Sequence, residues 1–479
     1  MNLSVIRYIL CQVMKIEGAF MLLPCVVSLI YGDHEGLWFI AVAAFLLIAG
    51  FLGTIKKPKS FTMYLKEGCV ATSLSWIIMS LFGALPFWLS GAIPSLTDAL
   101  FETVSGFTTT GASILNEIET LPKSILFWRS FTHWLGGMGV LVFLLAIIPM
   151  SGGSNINLMR AESPGPSVSK LAPKIKTTAK ILYLIYLALT TLEVILLLFG
   201  HMSLFDSLTL SFGTAGTGGF GVRNDSFASY SPYVQWVVSI FMILFGFNFN
   251  FYYFCLLRQF SKAFSMEEVR NYLIIILAAV AVIFVNIINM YESAFSALTH
   301  SLFQVSSIIS TTGFASTDFD TWPTICKLTL VFLMIVGACA GSTGGGVKVS
   351  RVTVLLKSVR KEFSSYIHPK IVRKISMDGR PVEHDVVRSI NVYMVTFLSV
   401  LIGSVFLVSL DGYDLTTTFT AVLACLDNIG PGLEMVGPTC NYSIMSFFSK
   451  YILIFDMLAG RLELFPMLII FHPRLYMKK

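Results

Sequence analysis

The sequence predicts an all-α transmembrane protein of about ten spanning helices and four re-entrant half-helices. Three observations predict this class. Of the 479 residues, 55% are hydrophobic and 13% charged, against about 25% charged in a soluble domain. A short apolar segment ending in a glycine turn recurs four times between longer apolar runs, at Gly111, Gly219, Gly313 and Gly430. Lys and Arg gather on alternate connections, as membrane insertion requires.

A spanning helix needs roughly 20 mostly apolar residues. On that criterion the N-terminal segment, 1–60, holds two crossings, 8–31 and 37–54. Arg7 precedes the first, but no small-residue cleavage site follows, so it reads as a retained helix rather than a signal peptide. Four units follow at 66–155, 175–262, 267–358 and 386–479, with a basic connection at 359–385. Each pairs a long helix and a second long helix around a half-helix and its glycine loop. The expected pairs are 69–89 with 125–150, 181–198 with 234–257, 272–290 with 328–352, and 387–410 with 446–471.

The repeat survives a residue-by-residue check. Thirteen residues before the four glycines stand Asp98, Asp206, His300 and Thr417. In that alignment Leu100-Phe101-Glu102 meets Leu302-Phe303-Gln304, and Thr109-Thr110-Gly111 meets Thr311-Thr312-Gly313, without a gap. The glycines recur 94 to 117 residues apart, too far for a soluble solenoid repeat, so the pattern implies pseudo-fourfold symmetry.

With both termini cytoplasmic, the inner connections carry Lys56 to Lys66, Arg160 to Lys180, Arg258 to Arg270, the run from Lys348 to Arg388, and Arg474 to Lys479. The outer loops hold few basic residues and the acids Asp33, Glu35, Glu117, Glu119, Asp225, Asp318, Asp320, Asp411 and Glu434. This assignment also places all four glycine loops outside. The net charge of +6 is therefore a matter of topology, and no nucleic-acid partner is implied. An acidic mouth would concentrate cations, although positive-inside insertion accounts for the asymmetry equally well. The eight cysteines show no metal-ligand spacing and most lie in apolar runs, as small buried hydrophobes. No zinc motif or nucleophile–base arrangement stands out, which excludes an enzyme as the working reading.

Irregular backbone at membrane depth is tolerated only inside protein or along a water-filled cavity. Four such loops on one side suit a filter in which backbone carbonyls replace a cation's hydration shell. Glycine permits the backbone angles this demands, and half-helix C-termini favour a cation. The filter residues are Thr109, Thr110 and Gly111; Thr217, Gly218 and Gly219; Thr311, Thr312 and Gly313; and Asn428, Ile429 and Gly430.

Several stretches carry a family resemblance: Phe127-Trp128-Arg129-Ser130 with Trp134 to Gly139, Gly246-Phe247-Asn248-Phe249-Asn250, Ala340 to Lys348, and Gly460-Arg461-Leu462-Glu463. Through them the chain resembles the Trk/Ktr/HKT superfamily of potassium transporters, most closely its bacterial TrkH/TrkG membrane subunits. The resemblance implies a potassium-selective pore in each subunit of a homodimer in the bacterial inner membrane. It also implies a cytoplasmic, nucleotide-binding TrkA-type regulatory ring, with the segment from Lys348 to Arg388 docking the ring or anionic membrane lipid. The transported ion would be K+, with no organic cofactor. In plant relatives a serine at the first filter glycine goes with sodium permeation; Gly111 favours potassium. Glu434 departs from the small residue usual past the fourth loop and leaves the electrostatics of the mouth open.

The resemblance makes Gly341, Ser342, Thr343, Gly344, Gly345 and Gly346 an intramembrane gating loop. The stretch is like a nucleotide-binding glycine loop, but Val347 intrudes before Lys348 and no soluble strand precedes it. Gly216 to Gly221 fits a dinucleotide fingerprint by letter alone. Arg461 has two readings, an ion pair with Asp456 or Glu463, or a positive charge at the gate. His133, Lys15, Glu17 and Glu102 are weaker candidates, and His133 reads as packing on the second helix of unit one. The rival function is a secondary symporter coupling K+ or Na+ to H+ or Na+, for which inverted repeats meeting at the midplane would be expected.

Overall fold

A computed structural model describes residues 1–61, 63–137, 139, 175–369 and 374–475. Helices α1 (Leu3–Phe20) and α2 (Leu22–Tyr31) run on as one 29-residue span, and α3 (Gly36–Thr54) returns beside them. Glycine lets these backbones approach: a Cβ on Gly18 would lie 3.1 Å from the Ala43 carbonyl oxygen. The pair covers unit one, whose first helix α4 (Leu65–Leu89) has 67% of its most apolar window buried, against 28–39% for the other spans.

Unit one continues with the half-helix α5 (Leu96–Phe107) and α6 (Lys123–Gly137). Unit two comprises α7 (Ile175–Phe199), the half-helix α8 (Leu204–Gly216), α9 (Pro232–Phe245), α10 (Phe249–Leu256) and the short α11 (Phe260–Phe264). Unit three comprises α12 (Glu267–Ile287), the half-helix α13 (Ala294–Ile309), α14 (Thr324–Val336) and α15 (Val349–Ile367). A two-stranded hairpin, β1 (Ser376–Met377) and β2 (Arg380–Pro381), leads to unit four. There α16 (His384–Val408) is followed by the half-helix α17 (Leu415–Leu426), α18 (Phe447–Arg461) and α19 (Phe465–Ile470).

The first helix of every unit is continuous; in units two, three and four the second is not. Helix α9 bends by 89° into α10, α14 stops at Gly337 and resumes as α15, and α18 breaks at Glu463 and Leu464, whose φ values are 54° and 69°. The single crossings expected at 234–257 and 446–471 are therefore corrected to broken ones, whereas the interruption expected at Gly341 to Gly346 within 328–352 is present. The expected 125–150 is helical to Gly137, and most of its remainder lies outside the described residues. Among the described residues six helices are long and apolar enough to cross a membrane, or seven counting the bent pair, against ten expected. Hydropathy misses the breaks because Gly246-Phe247-Asn248 and Leu462 to Leu464 sit within otherwise apolar sequence. At the first, Asn248 Oδ1 accepts from Asn250 N at 3.0 Å and starts a new helix there.

Candidate ion pathway

Each half-helix starts and stops by the same local chemistry. Ser95, Ser203, Ser293 and Asp414 are the N-caps, accepting from the backbone N–H of Asp98, Asp206, Ser296 and Thr417. Each helix ends in a Schellman motif. Thr110 N donates to Ser105 O and Thr109 N to Gly106 O, at 2.9 and 3.1 Å. The same two bonds recur from Gly218 and Thr217, from Thr312 and Thr311, and from Ile429 and Asn428. The motif needs a left-handed residue, usually glycine; here it is Thr109, Thr217, Thr311 and Asn428, with φ of 56°, 55°, 61° and 55°. Left-handed backbone at a side-chain-bearing residue is a strain that proteins concentrate at functional sites.

Two residues further on, Gly111, Gly219, Gly313 and Gly430 are left-handed again, with φ of 80°, 85°, 83° and 98°, while the residue between is not. This alternation turns successive peptide planes so that carbonyls can share one side of the strand. The four strands close on one another. A Cβ on Gly111 would collide with the Gly218 carbonyl oxygen, on Gly219 with that of Thr312, and on Gly313 with that of Ile429. On Gly430 it would lie 2.7 Å from that of Thr110. Each glycine thus faces the carbonyl just before the next unit's glycine, and the fourth returns to the first. All twelve residues expected to form the filter are brought together in this ring. Of their twelve carbonyls, among the described residues only Gly430 O accepts a hydrogen bond, from the Tyr442 hydroxyl at 2.7 Å. Buried carbonyls are nearly always paired. Eleven unpaired ones in one ring can serve a cation.

The junction between units one and two is braced by charge. Arg129 Nε lies 2.6 Å from Glu102 Oε1, both residues being buried. Glu102 Oε2 accepts from Ile114 N at 3.0 Å, and Arg129 donates to Gly221 O at 2.9 Å and covers the Phe220 ring. His133 Nδ1 is 2.7 Å from Gly106 O, which can only accept, so Nε2 is left to accept from Phe220 N at 3.2 Å. His133, expected to pack, and Glu102, a weak candidate with no role assigned from sequence, therefore tie the first two loops together. Their signal in sequence was weak, since one buried histidine or acid is indistinguishable from another without the fold. At the junction of units four and one, Asn428 Nδ2 donates to Thr110 Oγ1 at 2.9 Å and to Met457 O at 2.9 Å.

The glycine loop expected at Gly341 to Gly346 lies within the break at 337–348 and touches the ring directly. Gly345 N donates to Thr311 Oγ1 at 2.6 Å, and Gly346 N to Asp427 O at 3.1 Å. There is no room for side chains here: a Cβ on Gly344 would lie 2.7 Å from Ser310 O, and one on Gly345 would strike Asp427 O. Arg461 spans the loop and unit one, donating to Thr343 O at 2.8 Å, to Gly137 O at 3.0 Å and to Gly136 O. The other expected reading, an ion pair with Asp456 or Glu463, is not made among the described residues. Glu463 pairs with Arg351, and Asp456 Oδ1 accepts from Ser404 at 2.7 Å.

A family model described as a cation transport protein, TrkH, matches residues 37–476. The chain belongs to the TrkH family. It is 35% identical over 465 residues to the Trk system potassium uptake protein TrkH of Salmonella typhimurium, covering 95% of each chain. It is 33% identical over 491 residues to TrkH of Halomonas elongata, covering both in full. The fold matches the crystal structure of the potassium transporter TrkH from Vibrio parahaemolyticus with a TM-score of 0.89, at 30% identity and full coverage of both chains. As a TrkH family member the chain is a membrane transport protein and not an enzyme.

Proposed function

We propose that the chain carries K+ into a bacterial cell through the four-loop ring, each ion exchanging water for backbone carbonyls. The observation that supports this most directly is the closed ring of unpaired carbonyls at residues 109–111, 217–219, 311–313 and 428–430. Potassium as the substrate is supported by the relatives' activity and by glycine at all four ring positions. The loop from Gly341 to Gly346, hydrogen-bonded to the ring from one side, is the gate, and Arg461 holds it in place while setting a positive charge beside the path. We place both termini in the cytoplasm, the ring near the outer surface, and the protein in the inner membrane as a homodimer. A TrkA-type nucleotide-binding ring would act through the basic segment that follows the gate, where Arg360, Lys361, Lys374 and Arg388 lie.

The alternative is symport of K+ or Na+ with H+ or Na+. Purified protein in planar bilayers separates the two. Discrete openings whose reversal potential follows the K+ gradient and ignores pH support the pore; a reversal potential that moves with the proton gradient overturns it.

A further inference from the structure

Both ends of the glycine loop lead to one carboxylate that none of the roles above includes. Glu268 is the second residue of α12, with 3% of its surface exposed. Its Oε1 accepts from Ala340 N at 2.6 Å, just before the loop glycines, and from Ser350 N at 3.2 Å, just after them. Its Oε2 accepts from Asn248 Nδ2 at 3.0 Å. Asn248 stands at the 89° break in the inner helix of unit two. Three donors and the positive end of α12 hold this charge out of water.

The same break is laced to the loop by backbone. Cys339 N donates to Gly246 O at 3.1 Å and Phe249 N to Gly341 O at 3.1 Å. Two residues ten positions apart in sequence are thus pinned to a single oxygen, and the loop cannot widen or swing without releasing at least one of them.

We infer that Glu268 is a positioning residue that latches the intramembrane loop closed by joining its two ends to Asn248. The inference rests on the reading of that loop as the gate. The latch is a reversible exchange of hydrogen bonds: closed, Glu268 accepts from Ala340, Ser350 and Asn248; open, water enters to satisfy what the loop gives up.

The hydrogen-bond polarity of the pair supplies a reciprocal test. In Glu268→Gln the amide oxygen can still take Ala340 N and Ser350 N, but its NH2 faces the NH2 of Asn248. Asn248 could turn its amide only by giving up Asn250 N. In Asn248→Asp the cap on Asn250 survives, but two carboxylates meet. The double variant Asn248→Asp/Glu268→Gln restores one donor and one acceptor.

The measurement is resting rubidium flux into proteoliposomes of the full chain without regulatory subunit, beside single-channel conductance and potassium/sodium selectivity. Both single variants should raise resting flux roughly tenfold, the scale of one charge-assisted hydrogen bond. Conductance and selectivity should stay unchanged, and the double variant should return to the parent's value. A variant lacking residues 343–345 serves as reference. If it leaks while Glu268→Gln does not, the latch is wrong and the gate stands. Leak in the single variants that the double variant fails to reverse also overturns the latch. If the shortened loop itself does not leak, the gate reading fails and the latch with it.

Discussion

Gly313→Ala tests the ring most directly, because backbone strain and displacement of a neighbour can be separated. Alanine at φ 83° carries a left-handed penalty of about 1–2 kcal/mol. The added methyl would also be driven into Ile429 O and to 2.9 Å from Pro431 Cδ, where real Cβ contacts stay beyond 3.0 Å. The Ile429 carbonyl must therefore yield. Withdrawing a half-unit partial charge from ~2.8 to ~3.8 Å of a monovalent cation, at an effective dielectric of ~20, loses about 0.8 kcal/mol. That is about fourfold in affinity at one ring position. Gly412→Ala is the control: its φ is 79°, and nothing lies within 4 Å of the new Cβ. Both variants should lose thermal stability in detergent, Gly313→Ala more than Gly412→Ala, which carries the backbone strain alone. Only Gly313→Ala should weaken potassium relative to sodium in rubidium uptake competed by each ion. Equal selectivity in the two variants, with Gly313→Ala folded, would refute the argument that the ring contacts the ion.

Other outcomes follow from the same geometry. Replacing Gly344 and Gly345 with alanine forces the loop away from Ser310 and Asp427, so nucleotide-controlled flux in the presence of the regulatory subunit should be lost or become constitutive; normal gating would dismiss the loop as the gate. Arg461→Gln cannot span Thr343 and Gly136 together, and should raise resting flux several-fold; loss of stability with unchanged flux would make the arginine purely structural. Arg129→Leu leaves the buried Glu102 carboxylate unpaired and should cost roughly 3–5 kcal/mol, read as a large fall in melting temperature that Glu102→Leu in the same chain partly restores. In the loop between α13 and α14, burial first of all raises the Asp320 carboxyl to about 6. A folded-state value above the usual 3.8 means the proton stabilises the fold. That contribution is complete below pH 3.8 and is lost as pH rises through about 6. Melting temperature between pH 4 and 8 should show this slope in the parent and a shallower one in Asp320→Asn; parallel curves would contradict it.

The repeat was legible because its markers are local. Thr-Thr-Gly and the apolar half-helix before it follow from what an N-cap, a Schellman turn and a left-handed glycine demand, and these demands recur in every unit. The third unit shows the limit of spacing alone. His300 aligns with Asp98 and Asp206 by count, yet its helix is capped at Ser293, one turn further back than the others. The inner helices of units two and four defeated the hydropathy reading, since a break made by Gly246 and Asn248 changes hydrogen bonding without changing apolarity. Pairings such as Glu102 with Arg129, 27 residues apart, or Glu268 with Ala340, 72 residues apart, depend on how helices meet. An acidic pair such as Glu267-Glu268 at a helix start reads as ordinary favourable placement near the dipole. Only the fold distinguishes Glu267, which pairs with Lys357 near the surface, from Glu268 inside.

The four quarters are unequal in residue but nearly equal in backbone. Asn428 adopts φ 55°, the value Thr217 adopts, and Gly430 follows it as Gly219 follows Thr217. A ring that depended on side chains would need four alike; one that depends on carbonyls needs only the same two left-handed positions. The side chains are then released for work behind the ring, and there each unit differs. Thr311 Oγ1 accepts from Gly345 N of the glycine loop, Asn428 reaches across to Thr110 and Met457, and Thr108 and Ser310 hydroxyls tie to Thr110 and Thr312 at 2.8 and 2.7 Å. The glycine loop is held through units three and four, where Thr311 and Asp427 meet it, whereas the ion pair and His133 brace the junction of one and two. A deformable half opposite a braced half would let the loop move without opening the whole ring. In that arrangement, removing the Gly345 contact with Thr311→Val should alter open probability and leave the potassium/sodium ratio in place. His133→Leu, which unties loops one and two, should do the reverse. If both variants change the same property, the division of labour between the two halves is wrong.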